Sequence, residues 1–237
     1  MESLTVIVPF YNEARTIPTL TMQLNEVYGR VPFECLFIDD GSTDNSLLLL
    51  KDSLENVAFS YRVISHENRG KAGAVQTASQ VLNTSHCVIM DSDLELDVSS
   101  IATAWDIVQK RRFEAVFGYR DFRSHSSFTF RYSRGNQFIS NWYGLFFNVV
   151  ISDVMCGFKL IPSFILRGLP FTQSRFAVEI EIASELWKYD LKPYEIHIEY
   201  QPRTRAEGKV IGIPDAIKVL WAILSLRLRS RRNCNDT

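Results

Sequence analysis

Four carboxylates stand at alternate positions where an apolar run ends: Cys87 to Met90 is followed by Asp91, Asp93, Glu95 and Asp97. In an extended chain, residues two apart project from one face. The spacing therefore predicts a row of acids where a buried strand reaches solvent. Like charges so close repel, unless a cation sits among them or the chain turns and separates them. A hard divalent ion such as Mg²⁺ answers that repulsion, because it takes oxygen ligands and shares them with substrate phosphates. The plainer alternative is a strand end followed by an acidic first helical turn, which suits Asp97 better than Asp91 or Asp93. A second chemical stretch is QPRTRAEGK, where Arg203, Arg205 and Lys209 surround Gly208. Such a loop can wrap phosphate, Arg by paired hydrogen bonds and Lys as a point charge, or be simply solvated.

The elements that must position these groups alternate. Leu4 to Pro9, Phe33 to Ile38, Tyr61 to Ser65, the run ending at Asp91, and Ala115 to Tyr119 read as strands. Between them lie helical segments opening near Thr16, spanning Leu47 to Leu54, running to about Leu82, and covering Ser99 to Lys110. This alternation predicts βαβ units and a mainly parallel sheet flanked by helices. Ligands of such sheets bind outside the carboxyl ends of the strands. Asn12 and Glu13, Asp39 and Asp40, Arg69 to Lys71, and Asp91 to Glu95 each follow a predicted strand. They are expected to meet on one edge, although strand ends are often polar merely because they face water.

The second half departs from the pattern. Phe138 to Met155 is rich in aromatics and reads as a helix, in the core or resting on a bilayer surface. Asp153 to Lys159 leads into an apolar strand. Phe176 to Asp190 reads as a helix whose Glu179, Glu181 and Glu185 form a solvated face, and Pro193 to Tyr200 alternates as a strand. The segment from Pro214 to about Arg232 is short, apolar and basic at its end, which suits an interfacial helix near anionic lipid as well as packing on the body.

Composition sets the frame. At 237 residues, with 22% charged and 46% hydrophobic residues, the chain is expected to form one domain, 1–237. Its expected portions are 1–119, 120–212 and a basic amphipathic helix over 213–237. A formal net charge of −1 argues against a nucleic-acid partner. Locally, eight basic residues from Tyr200 to Arg232 face only Glu207 and Asp215, which points to an anionic ligand or surface at that end. Cys35, Cys87, Cys156 and Cys234 show no metal-ligand spacing and read as reduced thiols of a cytosolic protein. The start, MESLTVIVPF, is unlike a signal peptide, and no run reaches the ~18 to 20 apolar residues of a spanning helix.

In this order, VIVPFYNE, FIDDGSTDNS, HENRGKAGA, MDSDLE, DVMCGFKL and PRTRAEGK resemble the inverting family-2 glycosyltransferases of the GT-A fold. The likeness is strongest to dolichyl- or polyprenyl-phosphate hexosyltransferases such as dolichol-phosphate mannose synthase. The resemblance implies transfer of a hexose from a nucleotide-diphosphate sugar to a polyprenyl or dolichyl phosphate, with Mg²⁺ or Mn²⁺ as cofactor. It implies that Pro9, Tyr11, Glu13 and Asp40 hold the nucleoside, with Lys71 and Asp91 near its ribose and phosphates. Asp93 is the implied metal ligand, joined by Glu95 and Asp91. Arg205 and Lys209 would lie over the donor diphosphate, and Arg120, Arg131 and Arg134 would receive the acceptor phosphate. The implied location is the cytoplasmic face of a membrane, held peripherally, with a membrane-protein partner. One alternative is a saccharide or lipid hydroxyl acceptor, which needs a base, with Asp153 the candidate. Others are a nucleotide-sugar-binding protein without chemistry and a nucleotidyltransferase, the latter disfavoured by the lack of an N-terminal Gly-rich phosphate signature.

Overall fold

A computed structural model describes residues 2–111, 113–121, 130–171, 178–201 and 213–235. The first half runs β1 (Leu4–Phe10), α1 (Ile17–Tyr28), β2 (Glu34–Asp39), α2 (Ser46–Ser53), β3 (Ser60–Ser65), α3 (Gly70–Ser79), β4 (His86–Ile89), α4 (Ser100–Arg111) and β5 (Val116–Arg120). After it come α5 (Phe130–Phe147), β6 (Lys159–Pro162), α6 (Ser163–Arg167), α7 (Val178–Lys188), β7 (Tyr194–Ile198) and α8 (Ile213–Asn235).

The strands form one sheet in the order β3-β2-β1-β4-β6-β5-β7. The pairs β3–β2, β2–β1, β1–β4 and β5–β7 are parallel, whereas β6 runs antiparallel to both β4 and β5. Every residue of β1 is buried, as a central parallel strand covered on both faces requires. Successive side chains feed opposite layers. Val6 and Val8 join Leu20, Leu24 and Leu50 on one face, and Ile7 joins Ala74, Val75 and Ala78 on the other. That second layer also takes Tyr143 of α5, Ile182 of α7 and Ile223 of α8.

Two expectations about the second half are corrected. The predicted helix over Phe138 to Met155 starts earlier and stops at Phe147. Its end is a left-handed Asn148 (φ 55) with the Val149 N–H bonded to the Gly144 carbonyl at 3.2 Å, a common way to stop a helix. Residues 148–158 are thereby released to cross the carboxyl edge of the sheet. The acids of α7 are not a solvated face either: Glu179, Glu181 and Glu185 are all buried. Helical spacing reports which residues share a face, and the partners that cover this one come from distant segments.

Candidate active site

The polar clusters at the strand ends do meet. A cleft of about 390 Å³ opens at the carboxyl ends of β1, β2 and β4, lined among others by Pro9, Tyr11, Glu13, Asp40, Lys71, Asp91, Asp93, Glu95, Arg120, Gly157, Glu179 and Tyr200. One wall is built by two loops tied together. Asn12, in a left-handed conformation (φ 53), accepts the Thr43 N–H at 2.8 Å, and the Glu13 N–H bonds the Ser46 hydroxyl at 2.7 Å. Asp39 accepts the Ser42 N–H at 2.8 Å, closing the turn around Gly41. That glycine has φ +75, and a Cβ there would lie 2.8 Å from the Asn68 nitrogen. Buried Asp40 accepts the Arg69 N–H at 2.7 Å through Oδ1, 3.5 Å from the His66 ring.

The acids after β4 do not continue as an extended row. The strand ends at Ile89 and Leu94 turns to φ 58, so the chain separates the carboxylates. Asp91, Asp93 and Glu95 still line the cleft. Asp97 leaves it and accepts the Ser99 N–H at 3.0 Å just before α4. Asp93 Oδ1 accepts the Glu95 N–H at 3.1 Å, and Glu95 Oε2 accepts the Tyr200 hydroxyl at 2.7 Å. The loop is fastened to the chain after β7 by Gln201 N–H to Glu95 C=O at 2.8 Å and Asp97 N–H to Glu199 C=O at 3.2 Å.

Lys71 enters from the start of α3 and lies between two carboxylates, 2.6 Å from Asp91 Oδ1 and 2.8 Å from Glu179 Oε1. Burial alone would lower its pKa, but the charges of Asp91 and Glu179 outweigh that and hold it above the ordinary lysine value. A Cβ on Gly157 would collide with Asp91 Oδ2 and come within 3.2 Å of Lys71 Nζ. Backbone without a side chain is what allows the 148–158 segment to close over this pair.

On the opposite wall Arg120, the last residue of β5, meets Asp153 through Nε at 2.6 Å and Nη2 at 3.0 Å. The side chains are 9% and 1% exposed, so the pair is a paired, desolvated clamp. The guanidinium also lies 5.1 Å from the centre of the Tyr200 ring. Arg134 is on the exposed side of α5, and Arg131 lies in the same helix with its side chain outside the described residues. Arg205 and Lys209 lie outside the described residues altogether.

The donor set suits a hard divalent ion. Among the described residues no group of three or more ligating side chains is gathered around one point. Mg²⁺, however, is commonly held by one or two carboxylates together with substrate phosphates. Asp93 and Glu95 in one cleft can supply that number, while Asp91 is engaged by Lys71.

A family model described as "Glycosyl transferase family 2" matches residues 5–168. The chain belongs to that family. This glycosyltransferase is 26% identical over 245 residues to the dolichyl-phosphate beta-glucosyltransferase of Dictyostelium discoideum, covering 95% of this chain and 74% of that protein. It is 23% identical to the dodecaprenyl-phosphate galacturonate synthase of Rhizobium johnstonii, over 94% of this chain and 66% of that one. Among solved structures, glucosyl-3-phosphoglycerate synthase of Mycobacterium tuberculosis, in complex with Mn²⁺, UDP and phosphoglyceric acid, superposes with a TM-score of 0.71. That match has 16% identity and covers 95% of this chain and 78% of that one. The likeness fixes the fold of the glycosyltransferase as GT-A, a mainly parallel sheet flanked by helices.

Sequence reading missed Glu179, Gly157 and Tyr200. Gly157 sits in a quoted motif, DVMCGFKL, but nothing in its type says that it faces Asp91. Glu179 carried only the signal of an acid in a helix, and its partnership with Lys71 joins residues 108 positions apart.

Proposed function

We propose that this glycosyltransferase moves a hexose from a nucleoside-diphosphate sugar, of the GDP-mannose or UDP-glucose type, to the phosphate of a polyprenyl or dolichyl lipid with inversion. A phosphate oxygen of the lipid forms the new bond to the anomeric carbon as the bond to the nucleoside diphosphate breaks. The observation that carries this reading is the Arg120–Asp153 clamp. The only carboxylate that sequence reading offered as a base is 1% exposed and held on both oxygens by a guanidinium. A hydroxyl acceptor needs a base, whereas a lipid phosphate is already ionised at neutral pH and needs a cation to orient it. Asp153 is therefore a positioning residue for Arg120. The relatives named for dolichyl and dodecaprenyl phosphates, matched along 95% and 94% of this chain, support the same acceptor class.

On this reading Pro9, Tyr11, Glu13 and Asp40 bind the nucleoside, and Lys71 and Asp91 face its ribose and phosphates. Asp93 and Glu95 hold Mg²⁺ or Mn²⁺, which when bound stabilises negative charge on the leaving diphosphate. Arg205 and Lys209 cover that diphosphate, and Arg120 with Arg131 and Arg134 orients the acceptor. The partner surface is a bilayer. Leu145, Val150 and Trp221 are 73%, 95% and 67% exposed, and α8 carries Lys218, Arg227, Arg229, Arg231 and Arg232 against Asp215, a composition suited to anionic lipid. No described helix is long and apolar enough to cross a membrane, and the proposed lipid acceptor calls for contact with a bilayer surface. The metal assignment is tested by Asp93→Ala, expected to bring sugar transfer near background and to remove the extra thermal stabilisation that Mg²⁺ or Mn²⁺ adds to a nucleoside diphosphate. Unchanged turnover in the purified variant would sink it.

A further inference from the structure

Lys159 is the first residue of β6, pairs with Ile89 of β4 and Phe117 of β5 in the middle of the sheet, and is 0% exposed. An ammonium there is expensive to bury, and an apolar side chain of the same length would fill the core more cheaply. Its contacts show what the charge does. Nζ donates to the Cys156 carbonyl at 2.6 Å and the Val154 carbonyl at 3.1 Å, and lies 4.6 Å from the centre of the Phe117 ring. The 153–157 turn is thus wound around a buried cation, with both carbonyls drawn inward. Burial pushes this ammonium below the ordinary lysine value, although the charges of Glu179 and Asp153 act in the opposite direction.

The turn has a working group at each end. Asp153 grips Arg120, and Gly157 lies against Asp91 and Lys71. We infer that Lys159 is a positioning residue for the transfer: by holding two carbonyls of one turn, its ammonium sets Arg120 on one wall of the cleft against the Asp91–Lys71 pair on the other. This rests on the proposed reading that the Arg120 side takes the acceptor phosphate and the Asp91–Lys71 side the donor. Small errors in such a separation are costly, because reacting atoms must be held close to their attack geometry.

The test is Lys159→Met, which keeps length and apolar volume but removes charge and donors, with Lys159→Gln as a second variant that can still donate. Turnover is measured on nucleotide sugar and lipid phosphate and divided by the concentration of sites that bind nucleoside diphosphate. A residue that only supports the core would lower the number of competent sites and leave turnover per site unchanged. The inference expects turnover per site to fall roughly 10–100-fold in Lys159→Met, less in Lys159→Gln, with nucleotide affinity within about threefold of the original. Amide hydrogen exchange supplies an arm that needs no acceptor. The Val154 and Cys156 amides are expected to exchange at least about tenfold faster in Lys159→Met, while those of β1 keep their protection. Unchanged turnover per site, or unchanged exchange in the turn, would overturn the inference, and so would failure of both variants to fold. If the original protein transfers nothing to a lipid phosphate, the functional reading falls, and the exchange arm alone decides whether Lys159 holds the turn.

Discussion

Asp153→Leu leaves the Arg120 guanidinium buried without its counter-ion. Both hydrogen bonds of the clamp, at 2.6 and 3.0 Å, disappear in a place where the two side chains are 9% and 1% exposed. Removing one partner of such a pair costs about 3–5 kcal/mol, and for a chain of this size about 2–4 °C of melting temperature accompanies each kcal/mol, so a drop of roughly 6–20 °C is expected. Arg120→Met strands the carboxylate and is expected to fall in the same range. The double substitution replaces the pair with apolar volume and is expected to recover most of the lost stability, giving a strongly non-additive cycle. Transfer is expected to stay low in all three variants, because no guanidinium suitably held remains for the acceptor phosphate. Thermal melts followed by circular dichroism, with turnover at several acceptor concentrations, read both parts. The reasoning is refuted if the double variant is as unstable as the sum of the singles. It is also refuted if Asp153→Leu keeps its stability and turns over slowly with the acid limb of the pH–rate profile gone, as loss of a general base would cause.

Lys71→Met removes the cation shared by Asp91 and Glu179. Nucleoside diphosphate binding is expected to weaken about 10–100-fold, the loss of a charge-assisted contact of about 1.5–3 kcal/mol, measured by calorimetry. His86, the first residue of β4 at the edge away from the cleft, is buried against Trp105. Burial lowers its pKa, with the charges of Glu2 and Glu114 opposing. The unfolded chain therefore takes up that proton first as pH falls. The stability associated with neutral His86 is full above the ordinary histidine value of about 6.5 and is lost as pH falls through the lower folded value. His86→Phe is expected to flatten the decline of melting temperature between neutral and mildly acidic pH, and an unaltered slope would count against it.

What could be read from the chain was local and periodic. The apolar runs of β1, β2 and β4, and the polar residues just after them, predict the sheet and the edge on which Asp40, Lys71, Asp91 and Asp93 gather, because a parallel sheet sends all its carboxyl ends one way. The insertion of antiparallel β6 between β4 and β5 was not legible, since strand order depends on packing between distant segments. Glu179 illustrates the same limit at the level of chemistry. Its helix could be read, but not that α7 would turn this acid toward a lysine 108 positions earlier. The chain after Met90 shows a third case: alternation suggested an extended row of acids, and a left-handed Leu94 broke it.

The most direct test of the central claim offers the purified protein a nucleotide sugar, Mg²⁺ or Mn²⁺, and either a short polyprenyl phosphate or the corresponding polyprenyl alcohol. Released nucleoside diphosphate and organic-phase glycolipid are measured across pH. The account predicts metal-dependent glycolipid from the phosphate and none from the alcohol, with nucleoside diphosphate released in equal amount. Sugar transfer to the alcohol in preference to the phosphate would contradict it.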